Sequence, residues 1–149
     1  MAKSKSDLKL RLRVITPTET KVDEEVDMVV MRCIDGAMGI LPRHEAHLCV
    51  LDVGALRVLN RRRERRLAVF GGIAEVQDNV VTILTDEAHW PGDIDRNRAE
   101  EAREHLARKI QERTDDMELL NDQILLRRAL VKVEVGSFPL DSDTEEDEE

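Results

Sequence analysis

Leu8, Leu10, Leu12 and Val14 alternate with Lys9, Arg11 and Arg13, a period of two that predicts a strand with one buried and one wet face. Thr16-Pro17 closes it. Val22 to Asp27 reads as a weaker second strand, and Met28 to Ile34, an apolar run broken only by Arg32, as a more buried third. Gly36 and Gly39 are expected to bracket a tight turn, because glycine reverses the backbone without a Cβ clash. Pro42 then ends ladder pairing, and Arg43 and His44 follow at a polar corner. Leu48 to Val53 and Ala55 to Leu59 read as two short strands around Asp52-Val53-Gly54. Asn60 to Arg66 reads as a basic loop, and Leu67 to Phe70 as an apolar strand ending in Gly71-Gly72. Ala74 to Gln77 and Val80 to Leu84 join through the turn signal Asp78-Asn79. Short strands separated by regular turn signals predict an antiparallel sandwich or barrel.

After Thr85 the period changes. Trp90-Pro91-Gly92 breaks the chain, and no Gly or Pro follows Arg96 until Gly136. Ala99, Ala102, Leu106 and Ile110 step at helical spacing. Met117, Leu120, Ile124 and Val131 form a second stripe, widened by Leu119, Leu126 and Leu130. Asp115-Asp116 is the expected turn, and Gly136 and Pro139 the stop. The fold class is therefore α+β: an N-terminal antiparallel β-sandwich followed by a C-terminal antiparallel two-helix hairpin. The divisions are 1–88 for the sandwich, 89–95 for a linker, 96–136 for the hairpin and 137–149 for a disordered acidic tail. The first helix offers mostly alanine, with Leu106 and Ile110 as bulk. Burying each contributes about 1.5–3 kcal/mol, comparable with the entropy of ordering a hairpin, so docking is expected to be marginal.

Composition changes this picture little. The apolar share of 41% suffices for a core and the aromatic share of 2% makes it aliphatic. No run of about 18 apolar residues offers a membrane span, and Met1 to Asp7 has neither a signal-peptide h-region nor the character of a transit peptide. The expected location is where the chain is made, most simply a bacterial cytoplasm. Net charge is −9. Most of it sits in Asp141, Asp143, Glu145, Glu146, Asp147, Glu148 and Glu149, with no base among them, so the rest of the chain is nearly balanced. Cys33 and Cys49 lack C-x-x-C spacing and read as two reduced thiols in apolar strands.

Three stretches carry candidate chemistry. His44-Glu45-Ala46-His47 has its histidines three apart beside a proline, unlike the zincin H-E-x-x-H, and reads as a surface corner with no metal. Arg61 to Arg66 has the charge for an anionic surface or nucleic acid, but Phe70, Trp90 and Phe138 are the chain's only aromatics, so bases lack a stacking platform. A solvated loop is the simpler reading. In Ile94-Asp95-Arg96-Asn97-Arg98-Ala99, Asp95 suits an N-cap. Arg96 and Arg98 face the positive end of the helix dipole and need nearby carboxylates or a bound anion. In an antiparallel hairpin, Arg127 and Arg128 of the second helix return to the same end.

In order and spacing, Gly36-x-x-Gly39-Ile40-Leu41-Pro42-x-His44, Gly71-Gly72-Ile73-Ala74-Glu75-Val76-Gln77, Val80 to Thr85 with Asp86-x-Ala88, and Ile94-Asp95-x-x-Arg98-Ala99 resemble the epsilon subunit of the F-type ATP synthase over about residues 8 to 135. The resemblance implies a non-catalytic subunit of the rotor stalk, with catalysis in the alpha and beta subunits. Its sandwich would bind the gamma subunit and stand on the c-ring, coupling ion flow to ATP synthesis. It implies peripheral, indirect membrane association at the cytoplasmic face of the bacterial plasma membrane, no required cofactor and no nucleic acid partner. Ala37, Arg43 and His44 carry over as contact positions, although the family often has an acid at the position of Ala37 and glycine at that of Arg43. Ile94, Asp95, Arg98 and Ala99, with Arg128 from the second helix, match a motif that in some bacterial members binds ATP as a regulatory ligand. There ATP favours the folded hairpin, and the extended hairpin blocks hydrolysis. The competing reading is a free-standing β-sandwich binding module using its arginine loop on nucleic acid or an anionic surface.

Overall fold

The structure, a computed structural model, describes residues 8–112 and 115–139 and the backbone of 142–143. Its strands are β1 (Leu10–Ile15), β2 (Thr20–Val26), β3 (Met28–Cys33), β4 (Gly36–Ile40), β5 (His47–Asn60), β6 (Arg63–Gln77), β7 (Val80–Leu84), β8 (Ala88–His89) and β9 (Ser142–Asp143). A short 3-10 turn, Pro91–Asp93, leads into the helices α1 (Arg96–Glu112) and α2 (Asp116–Gly136). The strands pair in the order β2-β1-β7-β6-β5-β3-β4, with β8 and β9 on β6. All pairings are antiparallel except β1 with β7, which is parallel. Leu10, Leu12 and Val14 point into one aliphatic core with Val29, Met31, Leu67, Val76 and Ile83, as their period-two spacing requires.

Two expected breaks are bends within continuous strands. β5 and β6 pair from His47↔Val76 through to Asn60↔Arg63, skipping Asp52 and Gly71. Along β6 the core-facing residues are Leu67 and Val69 before this point and Ala74 and Val76 after it, so the alternation changes phase. Gly71 and Gly72, at φ of 77° and 119°, form the kink that does this, and the β5–β6 register is the same on both sides of it. A flat strand would expose one of these sets. The kink lets one strand serve both layers of the sandwich.

Two further expectations are corrected. The turn before the Ile40-Leu41-Pro42 corner lies at Ile34-Asp35, and Gly36 to Ile40 continues as β4, with Gly36 at φ 131°. The basic loop is mostly strand. Only Arg61 and Arg62 turn, both at positive φ as a tight two-residue hairpin demands, while Arg63 to Arg66 pair with β5. In the acidic tail, Ser142 and Asp143 pair with Glu64 and Arg63, where neither β7 nor β8 covers β6 and its backbone groups are open to a further strand. The remainder of the acidic tail lies outside the described residues.

The hairpin seats on the far face of β6. Ala68 and Phe70 point away from the main core and form a second cluster with Val131 and Val135 of α2. Ile94 packs against this cluster, and its Cγ2 would lie 3.1 Å from a Cβ at position 136, so Gly136 serves close approach to the linker. The expected α2 stripe is only partly buried: Met117 is 80% exposed, and Leu120, Ile124 and Leu130 are also exposed. The reason is that α2 uses its Val131–Val135 face on the sandwich and Ala129 and Asp122 on the inner side. In α1 only Ala99 is fully buried. Ion pairs Arg127–Asp52 (2.7 Å) and Arg66–Glu134 (3.2 Å) add to the seat, each contributing about 0–1 kcal/mol at such exposure.

The kink predicts a contrast between neighbours. A Cβ at Gly72 would collide with the Leu84 carbonyl on top of its φ, whereas at Gly71 only the φ resists. Gly72→Ala should therefore lower stability by more than the roughly 1 kcal/mol expected of Gly71→Ala. Urea unfolding of both variants checks the order.

Candidate functional site

A cavity of about 540 Å³ opens between the linker, α1 and α2. Its size falls within the range of small-ligand sites. Its floor is set by β8, which pairs with β6 so that Phe70 donates its N–H to the Glu87 carbonyl at 3.2 Å. That bond holds Glu87 and His89 beside Phe70, whose ring meets His89 edge-on at 5.9 Å. Lys21 reaches across to Asp93 at 3.0 Å and ties the linker to β2. The Asp93 bond raises the Lys21 pKa, and the same pair holds the Asp93 carboxyl below its usual range.

Of the positions expected near the start of α1, Arg127 lies elsewhere and pairs with Asp52, and Arg96 does not line the cavity. Ile94, Asp95, Arg98, Ala99 and Arg128 all line the cavity, with Lys132 one turn beyond Arg128. Asp95 accepts the Arg98 N–H at 3.2 Å, so it does cap α1. Ala99 and Ala129 are both buried, and their small side chains let the two helices approach closely. The Arg128 guanidinium lies 4.4 Å from the centre of the Phe70 ring and pairs with Glu87. Among the described residues, neither Arg96 nor Arg98 has a carboxylate within ion-pair distance. Of the two explanations for cations at this helix end, the carboxylates are thus missing.

Sequence reasoning missed Glu87. It bonds His89 Nε2 at 2.6 Å, pairs with Arg128 and lies 4.0 Å from Lys132. Burial pushes its carboxyl up, but the His89 bond and the charges of Arg128 and Lys132 outweigh this and hold it below the glutamate range. The available signal was an acid between Asp86 and Ala88, close upstream of the Ile94-Asp95 pair. Asp52 is similarly held down, first by its bond to Arg127.

The other candidates lie elsewhere. Ala37 is exposed on β4, and Arg43 sits at φ 66° with its N–H bonded to Asn79 Oδ1 at 2.9 Å. The His44 ring lies 6.4 Å from that of His47. Among the described residues no group of three His, Cys, Asp or Glu side chains is placed to hold a metal. The arginines of the β5–β6 hairpin are engaged within the protein: Arg65 with Glu24 and over Trp90, Arg66 with Glu134 and over Phe138.

Residues 9–91 match the family described as ATP synthase, Delta/Epsilon chain, beta-sandwich domain. An ATP synthase epsilon chain of Herpetosiphon aurantiacus is 38% identical over 129 residues, covering 87% of this chain and 95% of the relative. The chain belongs to the ATP synthase epsilon chain family. A second epsilon chain, from Syntrophobacter fumaroxidans, is 39% identical over 128 residues, 86% of this chain and 96% of that one. Among solved structures, a chain of the Euglena gracilis mitochondrial ATP synthase OSCP/F1/c-ring assembly superposes with a TM-score of 0.72 at 28% identity, over 80% of this chain and 76% of the other. A chain of the Tetrahymena thermophila mitochondrial ATP synthase central stalk and c-ring, at 16% identity and a TM-score of 0.51, shares the fold. No helix among the described residues is long and apolar enough to cross a membrane.

For this epsilon chain the hub at Glu87 sets a pH dependence. Because the folded carboxyls of Glu87 and Asp52 are held low, their contribution to hairpin docking is complete at neutral pH and is lost as pH falls below the ordinary carboxylate range through their lowered folded values. In an acid titration followed by circular dichroism, the helix signal should fall before the sheet signal. Glu87→Gln should make the helix loss less pH-dependent. Helix and sheet lost together in both proteins would contradict this.

Proposed function

We propose that the chain is a non-catalytic rotor-stalk subunit that couples ion flow to ATP synthesis, with catalytic sites in the alpha and beta subunits. Its hairpin acts as an ATP-responsive restraint on hydrolysis. The observation carrying the regulatory part is the cavity in which Asp95, at the cap of the first helix, and Arg98 within it meet Arg128 of the second, with no carboxylate within ion-pair distance of the Arg98 guanidinium among the described residues. A phosphate chain entering there gains the open N–H groups of the α1 start and two guanidiniums. It would compete with Glu87 for Arg128. Ligand bound at about a hundred times its dissociation constant stabilises the bound form by roughly 2.7 kcal/mol. That matches the scale of a hairpin seated on two valines and a phenylalanine.

The sandwich has a surface suited to the gamma subunit. Val50, Ile73 and Leu84 lie opposite one another on β5, β6 and β7 and are each about half exposed. Leu48, at 68%, extends the row on the same outer face. Such a contiguous apolar row favours a protein partner. The corner carrying Ala37, Arg43 and His44 is polar and projects from the sheet edge, which suits contact with the polar loops of a c-ring. Assembly with these partners places the chain peripherally at the membrane, on the cytoplasmic face of a bacterial cell.

Calorimetric titration with ATP tests the regulatory part. Saturable binding is expected, weakened at least about tenfold in Arg98→Ala by loss of a charge-assisted bond. Absence of heat from the folded protein would remove the nucleotide role and leave Asp95 as a cap alone. Affinity purification from native membranes tests the assembly, with recovery of alpha, beta and gamma subunits as the expected result.

A further inference from the structure

Cys33 ends β3 and Cys49 lies near the start of β5. Their Sγ atoms are 3.0 Å apart, about an ångström beyond a disulfide bond length. Neighbouring backbone fixes this approach. The Ile34 N–H donates to the Val50 carbonyl at 3.0 Å, so each cysteine immediately precedes one end of the same hydrogen bond. Cys33 stands opposite Leu51 in the β3–β5 ladder, which puts Cys49, two residues from Leu51, on the same face as Cys33. Cys33 is buried and Cys49 half-buried, so Cys49 is the more accessible of the two. Among the described residues no third ligand is placed to make this a metal site.

We propose that Cys33 and Cys49 form a reversible intramolecular disulfide by exchange with a small-molecule or protein disulfide. The Cys49 thiolate attacks one sulfur of the incoming disulfide RSSR, forming a mixed disulfide and expelling RS⁻. Cys33 loses its proton to solvent, and its sulfur attacks Cys49 Sγ and expels the second RS⁻. The two cysteine thiols lose two electrons in all, and RSSR is reduced to two RSH. Burial and the neighbouring Cys49 push the Cys33 thiol up to about 12, which assigns first attack to Cys49 and the resolving role to Cys33. The bond closes a ring containing residues 34–48 and therefore the whole of β4 and the Pro42–His44 corner. Oxidation adds a covalent tie from that segment to β5; in the reduced form its hydrogen bonds and the burial of Ile40 and Met38 hold it. This assignment stands whether or not the corner meets a c-ring.

The test equilibrates the full folded chain with oxidised and reduced glutathione at varied ratios, followed by acid quench, alkylation and mass spectrometry. The expected oxidised product is a monomer that has lost both alkylatable thiols and carries no glutathione, with an unfolding midpoint several degrees above the reduced form. Cys33→Ser should accumulate one glutathione on Cys49, whereas Cys49→Ser should leave Cys33 unmodified. Retention of both thiols in oxidising buffer would overturn the proposal. So would stable glutathione adducts or disulfide-linked dimers of the unsubstituted chain.

Discussion

Between Leu67 and Phe70, β6 is covered on both faces, and the rest of the molecule depends on that double cover. Leu67 and Val69 face the sandwich core, while Ala68 and Phe70 receive Val131 and Val135 of α2. The phase change at Gly71-Gly72 makes this compatible with one strand crossing both layers, because Ala74 and Val76 then turn inward in their place. The same strand holds β8, which carries Glu87 to Phe70, and Glu87 in turn holds Arg128. Sandwich, linker and hairpin thus meet on four residues of one strand.

The two parts are held on different scales. The sandwich buries a broad aliphatic core, whereas the hairpin contributes Val131, Val135 and a few small residues. Apolar burial of that size, about 1.5–3 kcal/mol per large side chain, is joined by three ion-pair ties from Asp52, Arg66 and Glu87, of modest value at partial exposure. A hairpin seated this way can leave while the sheet remains intact. The exposed Met117, Leu120, Ile124 and Leu130 fit that arrangement, since the docked position leaves much of the apolar surface of α2 unused.

Much of this was legible in the sequence. Period-two alternation gave β1, the Asp78-Asn79 signal gave the β6–β7 turn, and helical spacing gave both helices. The Ile94-Asp95-x-x-Arg98-Ala99 stretch with Arg128 pointed to the cavity those residues line. What was hidden had physical reasons. Glycine pairs signal turns, but Gly71-Gly72 makes a kink within a continuous strand, and only pairing with another strand distinguishes the two. The unbroken apolar run Leu67 to Phe70 did hold the sign that both faces are covered. The α2 stripe misled because hydrophobic spacing shows a face without showing its partner. Glu87 and the approach of Cys33 to Cys49 arise from cross-strand register, which no local pattern encodes.

The central claim is that the hairpin opens independently of the sandwich. Native-state hydrogen exchange resolved by segment tests it most directly. The account predicts that amides of α1 and α2 exchange through an opening whose free energy lies well below that of β5 and β6, with protection of the helices rising when ATP is present. Helices and strands sharing one opening free energy, unchanged by ATP, would contradict it.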